Sequence, residues 1–262
     1  MVNFAFLDSG VGGLPYMQYL RNISPDSACV YVADTKNFPY GEKSEKEIIE
    51  NACSCAQKII QKWNPEAIVV ACNTISVTAL EEMRRRFPDT PFIGTVPAIK
   101  PAAQLSKTRK IGLLATNATV NHPYTKRLIS DFASDCTIVS RGDPELISFI
   151  EHRFNSATEQ ERLDACVPAI DFFKEKKCDV IVLACTHFLN MPEYFQKAAG
   201  ENIKVIDSRE GVVKHSLEVV KKVCCKNETS RLYVTGFTES NDTTSYKNLC
   251  IKFGLEFGGI LD

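Results

Sequence analysis

Ile68-Val69-Val70-Ala71-Cys72-Asn73-Thr74 is an apolar run that ends in Ala-Cys and then turns polar. It has an echo in Ile181-Val182-Leu183-Ala184-Cys185-Thr186-His187. A short continuous apolar run bounded by polar residues reads as a strand buried on both faces of a parallel sheet. In such sheets ligands bind just beyond the carboxyl ends of the strands. Each run therefore delivers a cysteine to the place where chemistry is usually done. One Ala-Cys alone reads as a core thiol, because free cysteine is among the most buried residue types. Two in the same frame, each followed by hydrogen-bonding side chains, read as a functional pair.

Working outward, further strand-like runs occupy 3–7, 29–33 and 91–94 around the first cysteine run, and 110–115, 137–140 and 203–206 around the second. Helical spacing fills 45–63, stopped by Asn64-Pro65, and 76–87, closed by Pro88-Asp89. The intervals repeat: Asp8 to Asp34 is 34 − 8 = 26 positions, and Thr116 to Arg141 is 141 − 116 = 25. Ala56 and Ala169 each lie sixteen residues before their cysteine. Strands alternating with helices, repeated at matched spacing, predict an α/β chain of two similar lobes, each a mostly parallel sheet flanked by helices. The lobes are expected at 1–97 and 98–207, related by a pseudo-twofold axis. That symmetry sets Cys72 and Cys185 across one cleft as the active site. Thr95-Val96-Pro97-Ala98-Ile99-Lys100-Pro101 is the Pro-punctuated crossing. The segment 208–262 is expected to return to the first lobe as a helix to about Val223, further helix, and one strand at 232–235.

Composition narrows the function classes. A chain of 262 residues with net charge −1 has core enough to fold unaided and makes no electrostatic case for nucleic acid or membrane. No apolar run is long enough to span a bilayer, and residues 1–7 enter a strand without a basic n-region or cleavage site. Eleven cysteines without an export signal read as mostly reduced thiols in a cytoplasm. The expected partner is a small-molecule substrate, and a homodimer is left open.

Three rival readings carry less. Gly10, Gly12 and Gly13 suggest a phosphate cradle, but Pro15 stands where the dinucleotide fingerprint needs its third glycine. A tight turn exposing Asp8 and Ser9, with Pro15 in the first turn of a helix, fits better. That helix start retains N–H groups suited to a carboxylate. Cys185 and His187 offer two metal ligands without a third at zinc spacing, so no metal and no cofactor are expected. Cys53, Cys55, Cys224 and Cys225 fall in helical stretches and read as packing thiols. His187 reads equally as a helix-start residue or as a partner of Cys185. Two facing thiols suit removal of a proton from an amino acid's Cα on one face and its replacement on the other. A strand-end position ahead of helical N–H groups favours thiolate. Asp8 is placed to orient or deprotonate one thiol, and His187 the other. Disulfide exchange usually uses cysteines close in sequence, and these are 185 − 72 = 113 positions apart.

With those residues in view, the chain resembles the cofactor-independent aspartate/glutamate racemase family. The matching stretches are Phe6-Leu7-Asp8-Ser9-Gly10-Val11-Gly12-Gly13-Leu14, Asp34 through Pro39-Tyr40-Gly41, Ala71-Cys72-Asn73-Thr74, Leu114-Ala115-Thr116 with Thr119-Val120, and Leu183-Ala184-Cys185-Thr186-His187. The resemblance implies a two-lobed fold, no pyridoxal phosphate, and interconversion of L- and D-glutamate for peptidoglycan. It assigns Cys72 and Cys185 as the acid/base pair. Asp8, Ser9, Tyr40, Gly41, Asn73, Thr74, Thr186 and His187 would hold substrate or tune the thiols, and a substrate's side-chain carboxylate would find its donors in the second lobe at Thr116, Thr119 and Thr186. Glu151 is similar to a family carboxylate near the cleft. Asn121-His122-Pro123-Tyr124 follows the family pattern loosely, and a chain opening directly on its first strand implies no control by a cell-wall precursor. The alternatives are a racemase for aspartate or another amino acid, and a non-catalytic relative that binds a carboxylate or a protein.

Overall fold

In the computed structural model, in which residues 2–154, 156–220, 229–237 and 242–262 are described, the chain divides into Met1–Thr95 with Arg209–Asp262, and Val96–Ser208. The first unit opens with β1 (Phe4–Asp8), the glycine turn, α1 (Leu14–Ile23) and β2 (Cys29–Ala33). Two 3-10 turns, Thr35–Asn37 and Tyr40–Glu42, lead to α2 (Glu45–Trp63), β3 (Ala67–Val70), α3 (Asn73–Thr78), α4 (Leu80–Arg86) and β4 (Phe92–Gly94). α2 begins where Ser44 and Glu47 cap each other's backbone N–H groups, and it ends where Asn64 turns left-handed at φ 43°. Its apolar stripe, Ile48, Ala52, Cys55, Ala56 and Ile59, packs on Ala5, Leu7, Val30, Val32, Ile68 and Val70 of the sheet. Cys53 and Cys55 lie buried in that layer.

The single helix expected over 76–87 is instead α3 and α4, meeting at Ala79 (φ −112°, ψ −14°). The chain turns helical directly at Asn73, because the Cys72 carbonyl already accepts the Ser76 N–H at 2.9 Å. The β-branched residues Ile75, Val77 and Thr78 are weak helix formers, and α3 stops after them.

The second unit runs α5 (Ile99–Leu105), β5 (Lys110–Ala115), α6 (Asn117–Asn121), α7 (Pro123–Phe132), β6 (Thr137–Gly142), α8 (Pro144–His152), α9 (Glu159–Glu175), β7 (Val180–Ala184), α10 (Pro192–Ala199) and β8 (Lys204–Ile206). β6 continues two residues past its expected end, since Arg141 pairs with Leu114 and Gly142 with Ala115 of β5. His122 caps α7, its Nδ1 accepting the Tyr124 N–H at 3.2 Å. The chain then returns to the first unit as α11 (Arg209–Val219), β9 (Arg231–Val234), α12 (Thr243–Phe253) and β10 (Glu256–Ile260). The expected helix end at Val223, and Cys224 and Cys225, lie outside the described residues. β10 is an addition to the single strand expected in this segment.

All pairings are parallel: the first sheet runs β10-β9-β2-β1-β3-β4 and the second β6-β5-β7-β8. The two four-strand cores share one order, second-first-third-fourth. The third strand of each leads to the cysteine, β3 ending two residues before Cys72 and β7 one residue before Cys185. β1, β2, β3 and β7 are buried at every residue, as strands covered on both faces must be. No helix among the described residues is long and apolar enough to cross a membrane.

Candidate active site

Both cysteines occupy the residue where an extended strand turns into a helical segment. Cys72 has φ −140° and ψ 120°, and Cys185 has φ −137° and ψ 136°. Each thiol is nearly buried, 5 % and 4 % exposed. The sequence repeat is therefore also a repeat of backbone conformation at the two thiols. Their partners differ.

In the first unit, the Ser9 hydroxyl lies 3.7 Å from the Cys72 sulfur. It also lies 3.4 Å from Asp8 Oδ1. Asp8 and Ser9 were expected to be exposed by the glycine turn, but they are 0 % and 4 % exposed. The reason is that the Asp8 carboxylate folds over its own turn. Oδ1 accepts the Ser9 N–H at 2.7 Å, and Oδ2 accepts the Gly13 N–H at 2.7 Å and the Tyr31 hydroxyl at 3.1 Å. One N–H at the start of α1, that of the N-cap Gly13, holds a carboxylate, and it is the chain's own. Gly13 cannot be replaced cheaply, because a Cβ there would stand 2.5 Å from the Ala71 carbonyl oxygen.

Asn73 and Thr74 form the buried first turn of α3. The Asn73 Oδ1 is buried and makes no hydrogen bond among the described residues. Such an acceptor is uncommon in a folded interior. The 3-10 turn Tyr40–Glu42 packs on α3, bringing Tyr40 and Gly41 to the same neighbourhood. Tyr40 donates its hydroxyl to Asp34, which also accepts from Asn37 Nδ2 at 2.9 Å and Thr235 Oγ1 at 2.6 Å. Burial, then the Asp34 charge, pushes the Tyr40 phenol far up, so it stays a proton donor.

In the second unit, the Cys185 sulfur lies 3.5 Å from His187 Nδ1, and His187 Nε2 lies 2.8 Å from Glu151 Oε2. α8 carries Glu151 and packs on the 3-10 turn Thr186–Asn190 that carries His187. Burial opposes a charged imidazole, but the hydrogen bonds to the Cys185 sulfur and the Glu151 carboxylate outweigh it and lift His187 well above its ordinary range. Thr186 is buried beside them. Thr116 caps α6, its Oγ1 accepting the Thr119 N–H at 3.1 Å and lying 3.0 Å from the Thr119 hydroxyl. Among the described residues no three of His, Cys, Asp and Glu are gathered to share a metal ion.

Sequence reasoning left out two residues that organise the first unit. Tyr31 reads in the sequence as strand core, and Asp34 as a strand end within a family-like stretch, with no role of its own. A buried tyrosine needs a partner for its hydroxyl, which was the available signal for Tyr31.

A thiol with a hydroxyl-carboxylate neighbour and a thiol with an imidazole-carboxylate neighbour are two groups fitted to exchange protons with carbon acids. The Asp/Glu/Hydantoin racemase family model matches residues 16–215. The chain is 40 % identical over 259 residues to the glutamate racemase of Treponema pallidum, covering 99 % of this chain and 96 % of that one. It is 36 % identical to the glutamate racemase of Bartonella tribocorum, covering 96 % and 93 %. The crystal structure of Escherichia coli glutamate racemase, in complex with L-glutamate and the activator UDP-MurNAc-ala, superposes with a TM-score of 0.89 at 30 % identity, over 100 % of this chain and 98 % of that one. Paired strand-end cysteines on a doubled parallel fold, a family model across most of the length and full-length relatives agree: the chain belongs to the Asp/Glu/hydantoin racemase family.

Proposed function

We propose that this protein is an isomerase that interconverts L- and D-glutamate by proton transfer at Cα, with Cys72 and Cys185 as the two acid/base groups. The observation that carries the reading is the matched pair of strand-end thiols, each hydrogen-bonded to its own proton-handling partner. One thiolate takes the Cα proton: the C–H bond breaks, an S–H bond forms and the electron pair stays on carbon. The other thiol gives its proton to the other face of Cα and becomes the thiolate. Inversion needs both, so the two sulfurs exchange roles when the direction reverses.

His187, backed by Glu151, suits a thiolate at Cys185, because an imidazolium stabilises the neighbouring anion. Ser9 and Asp8 serve Cys72. Asn73, Thr74, Tyr40, Gly41, Thr116, Thr119 and Thr186 are the proposed substrate contacts, with the Asn73 Oδ1 suited to the substrate's ammonium group. The relatives' names and the L-glutamate in the E. coli complex support glutamate as the substrate. We place the activity in the cytoplasm, supplying D-glutamate for peptidoglycan, and a homodimer is open to test by light scattering.

The experiment is racemisation in heavy water. D-glutamate made from L-glutamate should carry deuterium at Cα, while unreacted L-glutamate stays protiated early. Cys72→Ser and Cys185→Ser should each stop racemisation in both directions. Early product that keeps its original proton, or a single variant near the parent rate, would defeat the two-thiol reading.

A further inference from the structure

Tyr31 stands in the middle of β2, paired with Phe6 of β1, and is fully buried. Its hydroxyl lies 3.1 Å from Asp8 Oδ2 and 3.2 Å from the Gly10 carbonyl oxygen. Both acceptors belong to the turn that carries Ser9. The same hydroxyl would stand 2.8 Å from a Cβ at Gly13, the residue that approaches Ala71 beside Cys72. One phenol oxygen thus touches the Asp8 carboxylate, the turn's backbone and the start of α1. Phenylalanine would fill nearly the same volume in this core, so the hydroxyl is what distinguishes tyrosine here.

The geometry points to Tyr31 as a positioning residue for the proton transfer at Cys72. This rests on the racemase reading. The Ser9 hydroxyl sits 3.7 Å from the Cys72 sulfur and 3.4 Å from Asp8 Oδ1. Its placement therefore depends on how firmly the Asp8 carboxylate and the 9–13 turn are held. The Ser9 N–H fixes Oδ1, and the Gly13 N–H and the Tyr31 hydroxyl fix Oδ2. Tyr31 is the only one of these three donors that belongs to a different strand from the turn. The phenol's single proton is shared between Asp8 Oδ2 and the Gly10 carbonyl, so removing it unties the turn from β2 and lets the carboxylate shift on its Ser9 and Gly13 N–H donors. Proton transfer is sensitive to displacements of about 1 Å or less, so the effect falls on the rate at Cys72.

The test is Tyr31→Phe in the full chain. L- and D-glutamate have equal free energies, so kcat/KM must fall equally in the two directions. Loss of one hydrogen bond to a charged group sets that fall at about tenfold. The discriminating measurement is the primary isotope effect with glutamate deuterated at Cα, taken from each enantiomer. Slowing the Cys72 step raises the effect for the enantiomer that Cys72 deprotonates and lowers it for the other. The expected result is a split in the same sense as for Ser9→Ala and opposite to that for His187→Asn. A tyrosine that only stabilises the fold would lower the melting temperature and leave the two isotope effects in the parent's ratio. An unmoved ratio, or a split in the His187 sense, overturns the inference. If Tyr31→Phe does not fold, Tyr31→Met, whose flexible side chain fills the space without a donor, is read by the same ratio. Absence of glutamate turnover in the parent would defeat the racemase reading and this inference together. Turnover in the parent with an unmoved ratio in the variant defeats this inference alone.

Discussion

Replacing Glu151 with glutamine removes one charge from a buried pair while keeping its size and one hydrogen bond. His187 Nε2 and Glu151 Oε2 are 2.8 Å apart, and both side chains are 5 % exposed. Stripping the partner from a buried ion that stays charged costs about 3–5 kcal/mol. His187 has an escape, since the imidazole can release its proton and keep a neutral hydrogen bond to the amide, which retains about 1 kcal/mol. The net loss is then about 2 kcal/mol where His187 would otherwise be protonated, or a fall in melting temperature of about 4–8 °C for a chain of this size. The pH dependence has a definite sign. The hydrogen bonds to Cys185 and Glu151 raise the folded His187 above its unfolded value of about 6.5. Its stabilisation is therefore complete below that pH and is lost as pH rises through the folded value. Parent and Glu151→Gln should differ most near about pH 6 and converge on the alkaline side. Thermal melts across that range, followed by circular dichroism, measure the convergence. Racemisation should fall about tenfold in kcat/KM, because the imidazolium facing the Cys185 sulfur loses its support. Melting curves that stay a constant distance apart at all pH values, or coincide at about pH 6, would refute the charged-pair argument.

Gly13→Ala should destabilise the first unit by about 1–3 kcal/mol, as an overpacked core does, because the new methyl meets the Ala71 backbone oxygen at 2.5 Å; the urea midpoint measures it. Glutamate should be preferred over aspartate by about 10- to 100-fold in kcat/KM, the equivalent of leaving one buried donor unpaired, and a coupled assay on both acids in both configurations reads the ratio. Exhaustive chelation should leave racemisation unchanged, and the protein should show no pyridoxal absorbance; recovery of lost activity on adding a metal would contradict the thiol mechanism.

The parts of the fold visible in the sequence are those where burial on both faces leaves only apolar residues. β3 and β7 are such runs, and the Ala-Cys at each end fixes where they stop. α2 is visible for a different reason: its apolar stripe is framed by Ser44 and Asn64, both of which act as caps. β10 escapes because Gly258 and Gly259 interrupt its pattern; Gly258 is needed where the Tyr233 ring would meet a Cβ at 2.4 Å. The contact between His187 and Glu151 spans 36 positions and depends on how α8 lies on the turn after β7, which no local pattern encodes. Asp8 shows how a site residue misleads. An aspartate before Ser-Gly reads as an exposed turn residue, and only the three-dimensional structure reveals the donors from the turn and from β2 that wait for its oxygens.

The interruption of the first unit by the second bears on how the chain leaves the ribosome. Val96–Ser208 is continuous and has all its strands as soon as it is made. The first unit does not, because β9 and β10 come from the last residues and β9 is the neighbour of β2. While the nascent chain is shorter than about residue 231, β2 is an open edge of wholly buried-type residues, Cys29-Val30-Tyr31-Val32-Ala33. A flat apolar edge of this kind templates pairing with other chains. Synthesis therefore passes through a state in which one unit is finished and the other awaits its outer strands, with aggregation as the competing outcome. Slowing translation over 209–262 should lengthen that exposure and lower the soluble yield without altering the finished protein.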